Sequence, residues 1–280
     1  MQHLQSLVGP LLQLCREAGD VICAHYHAPG AEQFQAKGDD SPLTKADLDS
    51  HALLQAGLTA LDAAIPVLSE ESPPQDLAER RSWQRYWLVD PLDGTKEFLG
   101  RTGEFTINIA LIEQHQPVLG VLYLPLKRSA YVGIPGVEAS RYQDAGNGQW
   151  TVATLATRAL VPGQAVTVLA SRRHLGPRLQ ACLQWLGEHW GPIARHNSGS
   201  ALKFCHLAEG AGDIYPRFSP CCEWDTAAGQ AVLEAAGGAL LDMDGQPLRY
   251  NCQDSLFSPH FYALADAANP LWRQLLQTHK

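Results

Sequence analysis

The order of apolar and polar residues near the start of the chain is typical of helices. Residues 1–27 are predicted to form a helix. A second helix is predicted after Thr44, which has the character of an N-cap, with Asp47 three residues further on, close to a capping box. Leu54 and Leu58 begin an apolar stripe at the i, i+4, i+7 spacing of an amphipathic helix. The first 61 residues are therefore expected to be largely helical.

Short apolar runs bounded by turn residues follow, and they predict a sheet. The predicted strands cover residues 66–68, 86–89, 105–112, 118–124, 130–132 and 150–152. The third of these runs alternates strictly, and the fourth is its plausible hairpin partner. This half of the chain therefore has the pattern of an α+β unit with an antiparallel sheet.

Strands and helices alternate in the second half of the chain. Strands are predicted at residues 166–170, 213–215, 240–241 and 261–265, and helices at residues 175–188, 200–209 and 225–236. Such alternation is typical of an α/β unit. We therefore predict an α/β chain with an α+β domain over residues 1–161 and an α/β domain over residues 162–280.

Composition and charge narrow the classes of function. The chain has 280 residues, of which 45% are hydrophobic and 18% charged, as in ordinary globular proteins. Its net charge of −8 argues against binding to nucleic acid or to an anionic membrane surface. The seven scattered cysteines form no C-x-x-C motif, which favours reduced thiols over a zinc site. With no visible signal peptide and no apolar run of about 20 residues, the predicted location is cytoplasmic.

Two aspartates stand close together in the segment WLVDPLDGTKEF, residues 87–98. Asp90 and Asp93 flank a Pro-Leu pair at the end of an apolar run. Burying a carboxylate is costly unless a positive group meets it, and Lys96 alone cannot serve two of them. The segment is therefore either a surface turn or part of a site that holds a cation.

Two more acidic residues lie where an apolar element ends or begins. Glu70 closes the run PVLSE, and Asp225 opens the predicted helix 225–236. A fold that brings these ends to Asp90 and Asp93 would create a cluster of carboxylate oxygens. Such clusters bind hard cations such as Mg²⁺, and without a cation some of the carboxylates must take up protons.

Gly94 and Thr95, which follow the two aspartates, are candidates for binding a phosphate group. Gly94 has no side chain, so backbone N–H groups can approach an anion, and Thr95 is expected to begin a short helical turn. A cation cluster beside such a turn indicates metal-assisted phosphoryl transfer to water. Each motif alone has an ordinary explanation: a turn for Asp90 and Asp93, and helix caps for Asp47 and Asp225.

The combination of motifs resembles a known superfamily. DSPLTKAD, PVLSEES, WLVDPLDGTKEF and EWDTAAGQAVLEAAGG occur in the order and at the separations typical of the magnesium-dependent phosphatases related to inositol monophosphatase. The resemblance implies a layered αβαβα fold with the active site in the cleft between two parts. DGTKEF, GEFTINIAL and SALKFCHLAEGAGDIYPRF resemble the bacterial CysQ type of 3′(2′),5′-bisphosphate nucleotidase within that superfamily.

The resemblance also implies roles for individual residues. The first magnesium would be held by Glu70, Asp90 and the backbone carbonyl of Leu92. The second would be held by Asp90, Asp93 and Asp225, and Glu70 would contact a third through water. The phosphate would be bound by the N–H groups of Gly94 and Thr95. Thr95 and Asp47 would form the pair that helps to deprotonate the attacking water, so that Asp47, Thr95 and Glu70 are the implied catalytic residues.

A nucleotide substrate would need a second cationic pocket. Ser200, Lys203, Arg217 and His174 match positions that relatives use for the nucleotide. The implied reaction is hydrolysis of the 3′-phosphate of adenosine 3′,5′-bisphosphate to AMP, with the sulfated nucleotide as a further substrate, in sulfur assimilation. Some relatives lie at the cytoplasmic face of the bacterial inner membrane, so the resemblance adds a peripheral membrane location to the cytoplasmic one. No anchor in the chain accounts for it.

Two alternatives stay open at this stage. The first is an inositol monophosphatase or a general sugar phosphatase, against which Lys96-Glu97 and the pair Lys203 and Arg217 argue. The second is a regulator that binds a nucleotide or a metal without catalysis. The presence of every expected ligand, together with Asp47 and Thr95, argues against that reading.

Overall fold

The computed structural model describes residues 2–29, 34–36, 42–146, 148–171 and 176–278. The α-helices within these residues are α1 Gln2–His27, α2 Lys45–Leu61, α3 Pro74–Glu79, α4 Thr95–Leu99, α5 Pro177–His189, α6 Leu202–Ala208, α7 Ala227–Ala235 and α8 Pro270–Thr278. The first nine strands are β1 Gln35–Ala36, β2 Pro42–Leu43, β3 Val67–Ser69, β4 Arg85–Asp93, β5 Thr106–Glu113, β6 Gln116–Leu124, β7 Ser129–Ile134, β8 Glu138–Asp144 and β9 Trp150–Thr154. The remaining strands are β10 Val166–Ala170, β11 Ile193–Asn197, β12 Ile214–Arg217, β13 Ala239–Asp242 and β14 Phe261–Leu264. Short 3₁₀ helices cover Arg80–Ser82, Pro125–Lys127 and Glu223–Asp225.

Two large sheets organise the described residues. The first has seven strands in the order β3-β4-β5-β6-β7-β8-β9, and all its pairs are antiparallel except β3 with β4. The second has five strands in the order β11-β10-β12-β14-β13, and β10 is parallel to both of its neighbours. The predicted hairpin of residues 105–112 with 118–124 is confirmed as β5 and β6.

Five layers result from the way helices cover these sheets. Helices α1 and α2 pack on one face of the seven-stranded sheet, with Leu11 and Leu54 fully buried against it. Helices α6 and α7 lie between the two sheets, where Phe204 and Val232 are buried. Helices α5 and α8 cover the outer face of the second sheet around Trp272. The predicted αβαβα layering is confirmed.

The close contact between α7 and the first sheet depends on two glycines of β6 and β7. A Cβ atom at Gly120 would lie 2.4 Å from the carbonyl oxygen of Ala228, and one at Gly133 would lie 2.4 Å from the Cα of Val232. No side chain fits at such distances, so glycine lets the helix backbone rest directly on the sheet. The helix that follows Asp225 is thereby held against the sheet that carries Asp90 and Asp93.

This packing bears on the predicted division at residues 161 and 162. The division falls between β9 and β10, the last strand of the first sheet and the first strand of the second. Helix α7, however, packs against β5, β6 and β7 across that division, within one continuous buried cluster. The two-domain boundary stays a prediction.

Several predicted element bounds were wrong, for identifiable reasons. The strand expected to end at Asp90 continues through Pro91 to Asp93, with a register shift that absorbs the extra residues. The helix expected from Ser200 begins at Leu202, and the helix expected from Asp225 begins at Ala227. Both starts are displaced because a tight turn precedes each helix. Among the described helices, none is long and apolar enough to cross a membrane.

Candidate active site

Three aspartates from distant parts of the chain form an oxygen-rich cluster. Asp90 and Asp93 come from the end of β4, and Asp225 ends the 3₁₀ turn before α7. One carboxylate oxygen of each lies within 4.8 Å of the others, close enough to share one cation. Carboxylate oxygens are the donors that Mg²⁺ and Ca²⁺ prefer, so the donor set fits a hard divalent cation.

Each of these carboxylates has one oxygen held by a backbone N–H group. The N–H of Leu92 donates to Asp90 Oδ1 at 3.0 Å. The N–H of Ala201 donates to Asp93 Oδ2 at 2.6 Å, and that of Cys222 donates to Asp225 Oδ2 at 2.9 Å. These bonds orient the side chains and leave the second oxygen of each available to a cation.

The local chain explains how two aspartates of one strand face the same point. Successive side chains of a regular strand point to opposite faces, so residues 90 and 93 would diverge. The register shift between Asp90 and Asp93, around Pro91 and Leu92, bends the strand and turns both toward the cluster. Ser50 Oγ donates to the carbonyl of Pro91 at 2.9 Å and ties this bend to α2.

The electrostatics of the cluster also fit a cation. Burial raises the pKa of Asp90 well above its ordinary value, and the charges of Glu70, Asp93 and Asp225 raise it further. Burial and the charges of Asp93 and Glu70 raise the pKa of Asp225 to about 8. Like-charged carboxylates in a buried site hold protons until a cation neutralises them. The protein without a cation therefore carries a proton-binding cluster here.

Glu70 follows β3, the strand that runs parallel to β4. Its N–H donates to the carbonyl of Val89 at 3.0 Å, which places it beside the residue that precedes Asp90. Its negative charge is one of the causes that raise the pKa values of both Asp90 and Asp225. The structure thus brings Glu70 to the same end of the first sheet as the three aspartates.

Asp47 and Thr95 are hydrogen bonded to each other. Thr95 Oγ1 donates to Asp47 Oδ1 at 3.1 Å, with the carbonyl of Leu92 at 3.4 Å as a weaker acceptor. The other oxygen of Asp47 accepts hydrogen bonds from the N–H and the hydroxyl of Thr44, which completes the predicted capping box. Asp47 is buried, and its two oxygens divide the capping and the contact with Thr95 between them.

Gly94 occupies a backbone position that excludes other residues. Its φ of +94° lies in the left-handed region, and a Cβ atom would meet the carbonyl oxygen of Glu104 at 3.0 Å and Ser200 Cβ at 3.3 Å. Helix α4 begins at the next residue, Thr95, as predicted, and the N–H of Phe98 returns to the carbonyl of Gly94 at 2.9 Å.

A cavity of about 160 Å³ connects this cluster to the predicted nucleotide residues. Its lining includes Asp93, Gly94 and Asp225 on one side and Ser200, Lys203 and Arg217 on the other. His174 lies outside the described residues. A larger cavity of about 620 Å³ adjoins it and shares Ser171, Tyr215 and Arg217 with it.

The predicted nucleotide residues also have partners within the protein. Arg217 donates to the carbonyls of Ser219 at 3.2 Å and Pro220 at 2.9 Å. Ser200 Oγ lies 2.7 Å from Asp93 Oδ2 and 2.7 Å from Thr106 Oγ1. The hydroxyl of Ser200 is therefore oriented by the metal-ligand candidate Asp93 as well as exposed to the cavity.

Three polar residues near the cluster were not predicted. Thr106 and Asn108 lie on β5 beside Asp93, and the Nδ2 of Asn108 donates to Asp93 Oδ2 at 3.4 Å. The sequence does mark Thr106 and Asn108, because they are the polar residues of the strictly alternating run 105–112. Glu223, buried in the turn that carries Asp225, accepts the N–H of Asn251 at 3.0 and 2.9 Å through its two oxygens. Nothing local marks that contact, since the two residues are 28 positions apart.

Comparison with known proteins agrees with this geometry. The model of the inositol monophosphatase family matches residues 3–276. The chain is 45% identical over 249 residues to the 3′(2′),5′-bisphosphate nucleotidase CysQ of Salmonella typhimurium, covering 89% of this chain and 96% of that protein. It is 43% identical over 255 residues to the protein of the same name from Escherichia coli K12, covering 91% and 98%. The crystal structure of CysQ from Bacteroides thetaiotaomicron, a bacterial member of the inositol monophosphatase family, superposes with a TM-score of 0.82 at 37% identity, covering 95% of this chain and 99% of that one.

Proposed function

The chain belongs to the inositol monophosphatase family, and we propose that it hydrolyses the 3′-phosphate of adenosine 3′,5′-bisphosphate to give AMP and phosphate. It is a phosphoric monoester hydrolase of the 3′(2′),5′-bisphosphate nucleotidase type, with a role in sulfur assimilation. The observation that carries the proposal is that two aspartates of the cluster border the same cavity as two cationic side chains: Asp93 and Asp225, Lys203 and Arg217. The nucleotidases of Salmonella and Escherichia coli, to which the chain is 43–45% identical over most of its length, support the same substrate.

Magnesium is the proposed cofactor, with two or three ions in the site. Glu70, Asp90, Asp93, Asp225 and the carbonyl of Leu92 would hold them. When bound, magnesium stabilises the developing negative charge and lowers the pKa of water. The remaining contributions come from the protein's own residues.

Thr95 and Asp47 are proposed to receive the proton of the attacking water. The hydroxyl hydrogen of Thr95 points to Asp47 Oδ1, so the lone pairs of Thr95 Oγ1 are free to accept from a water on its other side. Thr44 holds the other oxygen of Asp47, which keeps the carboxylate from rotating. A proton acceptor fixed in this way typically contributes about 10²–10⁴-fold to the rate.

Gly94 and Thr95 are proposed to bind the phosphate that is removed. Gly94 itself carries no side chain, and the N–H groups at the start of α4 would be available to an anion. Since the same turn carries Thr95, the proposed phosphate site would lie beside the proposed proton acceptor. Such proximity would favour attack of a bound water on the phosphate.

The adjoining cavity favours a nucleotide over a small sugar phosphate. Ligand pockets for molecules of nucleotide size typically measure about 300–1,000 Å³, so the cavity of about 160 Å³ beside the aspartates is too small on its own. The neighbouring space of about 620 Å³ shares Arg217 with it and is lined by Phe218 and Leu179. The nucleoside of a bisphosphate would use both cavities, whereas inositol phosphate would leave the larger one empty. The larger cavity also has room for the sulfated nucleotide, which we propose as a second substrate.

The test is phosphate release from adenosine 3′,5′-bisphosphate and from inositol 1-phosphate, each with Mg²⁺ and with a chelator. The variants are Asp93→Ala and, as a matched control, Asp254→Ala, whose side chain is fully exposed. We expect magnesium-dependent turnover that favours the nucleotide and disappears only in Asp93→Ala. Preference for inositol phosphate would leave the metal cluster in place and exclude the nucleotide pocket. Binding of the nucleotide without turnover of either substrate would favour a non-catalytic regulator.

A further inference from the structure

Lys203 is the most deeply buried cation beside the proposed active site. The side chain, on α6, is only 2% exposed, although it lines the cavity that contains Asp93. A buried ammonium group needs acceptors for its three N–H bonds. Two acceptors are backbone carbonyls, that of Ser200 at 2.7 Å and that of Ser198 at 3.1 Å. The face of the Tyr215 ring, 4.9 Å away, provides a third contact.

The two carbonyls belong to the turn that holds Asp93. Within this turn, residues 198–201, the hydroxyl of Ser200 and the N–H of Ala201 both reach Asp93 Oδ2, at 2.7 and 2.6 Å. With Asn108 Nδ2 at 3.4 Å, that oxygen has three donors around it. Asp93 can therefore offer a cation only Oδ1, and its orientation depends on the position of the turn.

The turn does not hold this shape through local preferences. Ser200 has a φ of +52°, an uncommon conformation for a residue with a side chain. A Cβ atom at the preceding Gly199 would lie 2.6 Å from Cγ of Glu97, so this position has no room for a side chain. The N–H of Gly199 donates to Glu104 at 2.8 Å. Contacts from outside the turn therefore stabilise it, and the two bonds from Lys203 close it from the α6 side.

The charges around Lys203 partly offset the cost of its burial. Burial and the nearby charge of Arg217 lower the pKa of Lys203 to about 8, and the carboxylates of Asp93, Glu97 and Glu104 act in the opposite direction, in favour of the charged form. The ammonium group therefore has acceptors and opposite charges supplied by the protein, before any substrate binds. A side chain kept only for an anionic substrate would be expected to face the open cavity with its donors free.

We propose that Lys203 is a positioning residue for Asp93: through the carbonyls of Ser198 and Ser200 it fixes the turn that aims Asp93 Oδ1 at the cation. This role rests on the proposed metal site and is separate from the predicted contact of Lys203 with the nucleotide. Partners that orient metal ligands typically change metal affinity by about 10–100-fold when they are removed. The loss of Lys203 should therefore weaken cation binding even when no nucleotide is present.

The experiment measures Mn²⁺ binding by electron paramagnetic resonance, without nucleotide, in the wild type and in Lys203→Met. Methionine keeps most of the length of the chain and removes both hydrogen bonds and the charge. The control is Arg217→Met, which removes a cation of the same cavity that has no bond to residues 198–201. We expect Lys203→Met to weaken Mn²⁺ binding at one site by about 10-fold or more. Arg217→Met should not weaken it, because the positive charge of Arg217 acts on Asp225 and opposes a cation there.

Kinetics with Mg²⁺ separate the two roles of Lys203. A positioning residue raises the Mg²⁺ concentration needed for half-maximal activity, and a substrate contact raises the KM for the nucleotide at saturating Mg²⁺. Wild-type Mn²⁺ binding in Lys203→Met, with only the KM raised, would overturn the proposal. If Lys203→Met does not fold, Lys203→Gln replaces it, because glutamine can still donate a hydrogen bond to the carbonyl of Ser200. We expect this variant to lose less Mn²⁺ affinity than Lys203→Met would. An Mn²⁺ affinity equal to that of the wild type would also overturn the proposal. Because Mn²⁺ binding is measured without nucleotide, a failure of the nucleotidase assignment would not affect the result.

Discussion

Replacing Thr95 by valine isolates the proposed proton acceptor. Valine has the shape of threonine without the hydroxyl, so the change removes the hydrogen bond from Thr95 Oγ1 to Asp47 Oδ1 at 3.1 Å and little else. Asp47 keeps its bonds from Thr44, so its carboxylate should stay in place. The Gly94 turn and the aspartate cluster are also left intact.

The size of the effect follows from two contributions. Loss of a positioned acid–base group lowers the rate by about 10²–10⁴-fold, which corresponds to about 2.7–5.4 kcal/mol in the barrier. A hydrogen bond to a charged group contributes about 1.5–3 kcal/mol to folding, and the oxygen of Asp47 that it leaves behind is buried. We therefore expect a large fall in kcat together with a modest loss in the free energy of unfolding.

The assay is steady-state phosphate release from the bisphosphate nucleotide at saturating Mg²⁺, together with urea unfolding of each variant. Thr95→Ser keeps the hydroxyl and should retain most of the activity. Thr278→Val removes an exposed hydroxyl near the end of α8 and should change neither quantity. If Thr95→Val keeps a kcat within about twofold of wild type, the pair of Thr95 and Asp47 takes no part in proton transfer.

Three further outcomes are expected. The pKa of Asp225 is raised to about 8 from an ordinary value of 3.8, so between these pH values the metal-free folded protein holds a proton that the unfolded chain releases. The contribution of Asp225 to the free energy of unfolding should therefore be greatest below about pH 4 and should be lost as the pH rises through about 8. Urea titrations at pH 5, 7 and 9 should show this fall without metal, and saturating Mg²⁺ should remove it. Gly94→Ala combines a left-handed φ with the contact to Glu104, so it should lower the melting temperature and the activity more than Gly136→Ala, which has a φ of +75° and open space around its Cβ. Glu223→Ala leaves the buried N–H of Asn251 without its acceptor and should reduce the free energy of unfolding by about 1–3 kcal/mol in urea titrations; an unchanged value would show that water replaces the carboxylate.

Much of the metal site could be inferred from sequence because its chemistry is carried by residue types. Each of the four acidic residues Glu70, Asp90, Asp93 and Asp225 lies where an apolar element ends or begins, or in the turn beside it, and the structure brings Asp90, Asp93 and Asp225 into one cluster. Their roles as metal ligands stay predictions until a cation is measured.

Two of the strands that the sequence analysis missed have a weak hydrophobic pattern. Strand β8, EASRYQD, and strand β11, IARHN, carry mostly polar residues, and β11 forms an edge of its sheet, where few side chains need to be apolar. Helix α8 was overlooked although Leu271, Trp272 and Leu275 have helical spacing and are buried. The first two omissions reflect an absent signal, and the third a signal that was present.

Residue chemistry along the chain was enough to indicate a phosphatase of this family, because the carboxylates, the glycine and the threonine of the site lie in short, recognisable segments. The orientation of Asp93, in contrast, depends on tertiary contacts. Asp93 is aimed by Ser200 and Ala201, which lie 107 and 108 residues further along the chain. The sequence likewise indicates only that Lys203 is a cation that could bind a phosphate. The structure adds that its ammonium group donates hydrogen bonds to the turn of residues 198–201. Hydrogen bonds act through space over about 3 Å, so which carboxylate oxygen is free for a cation is decided only when distant segments pack together.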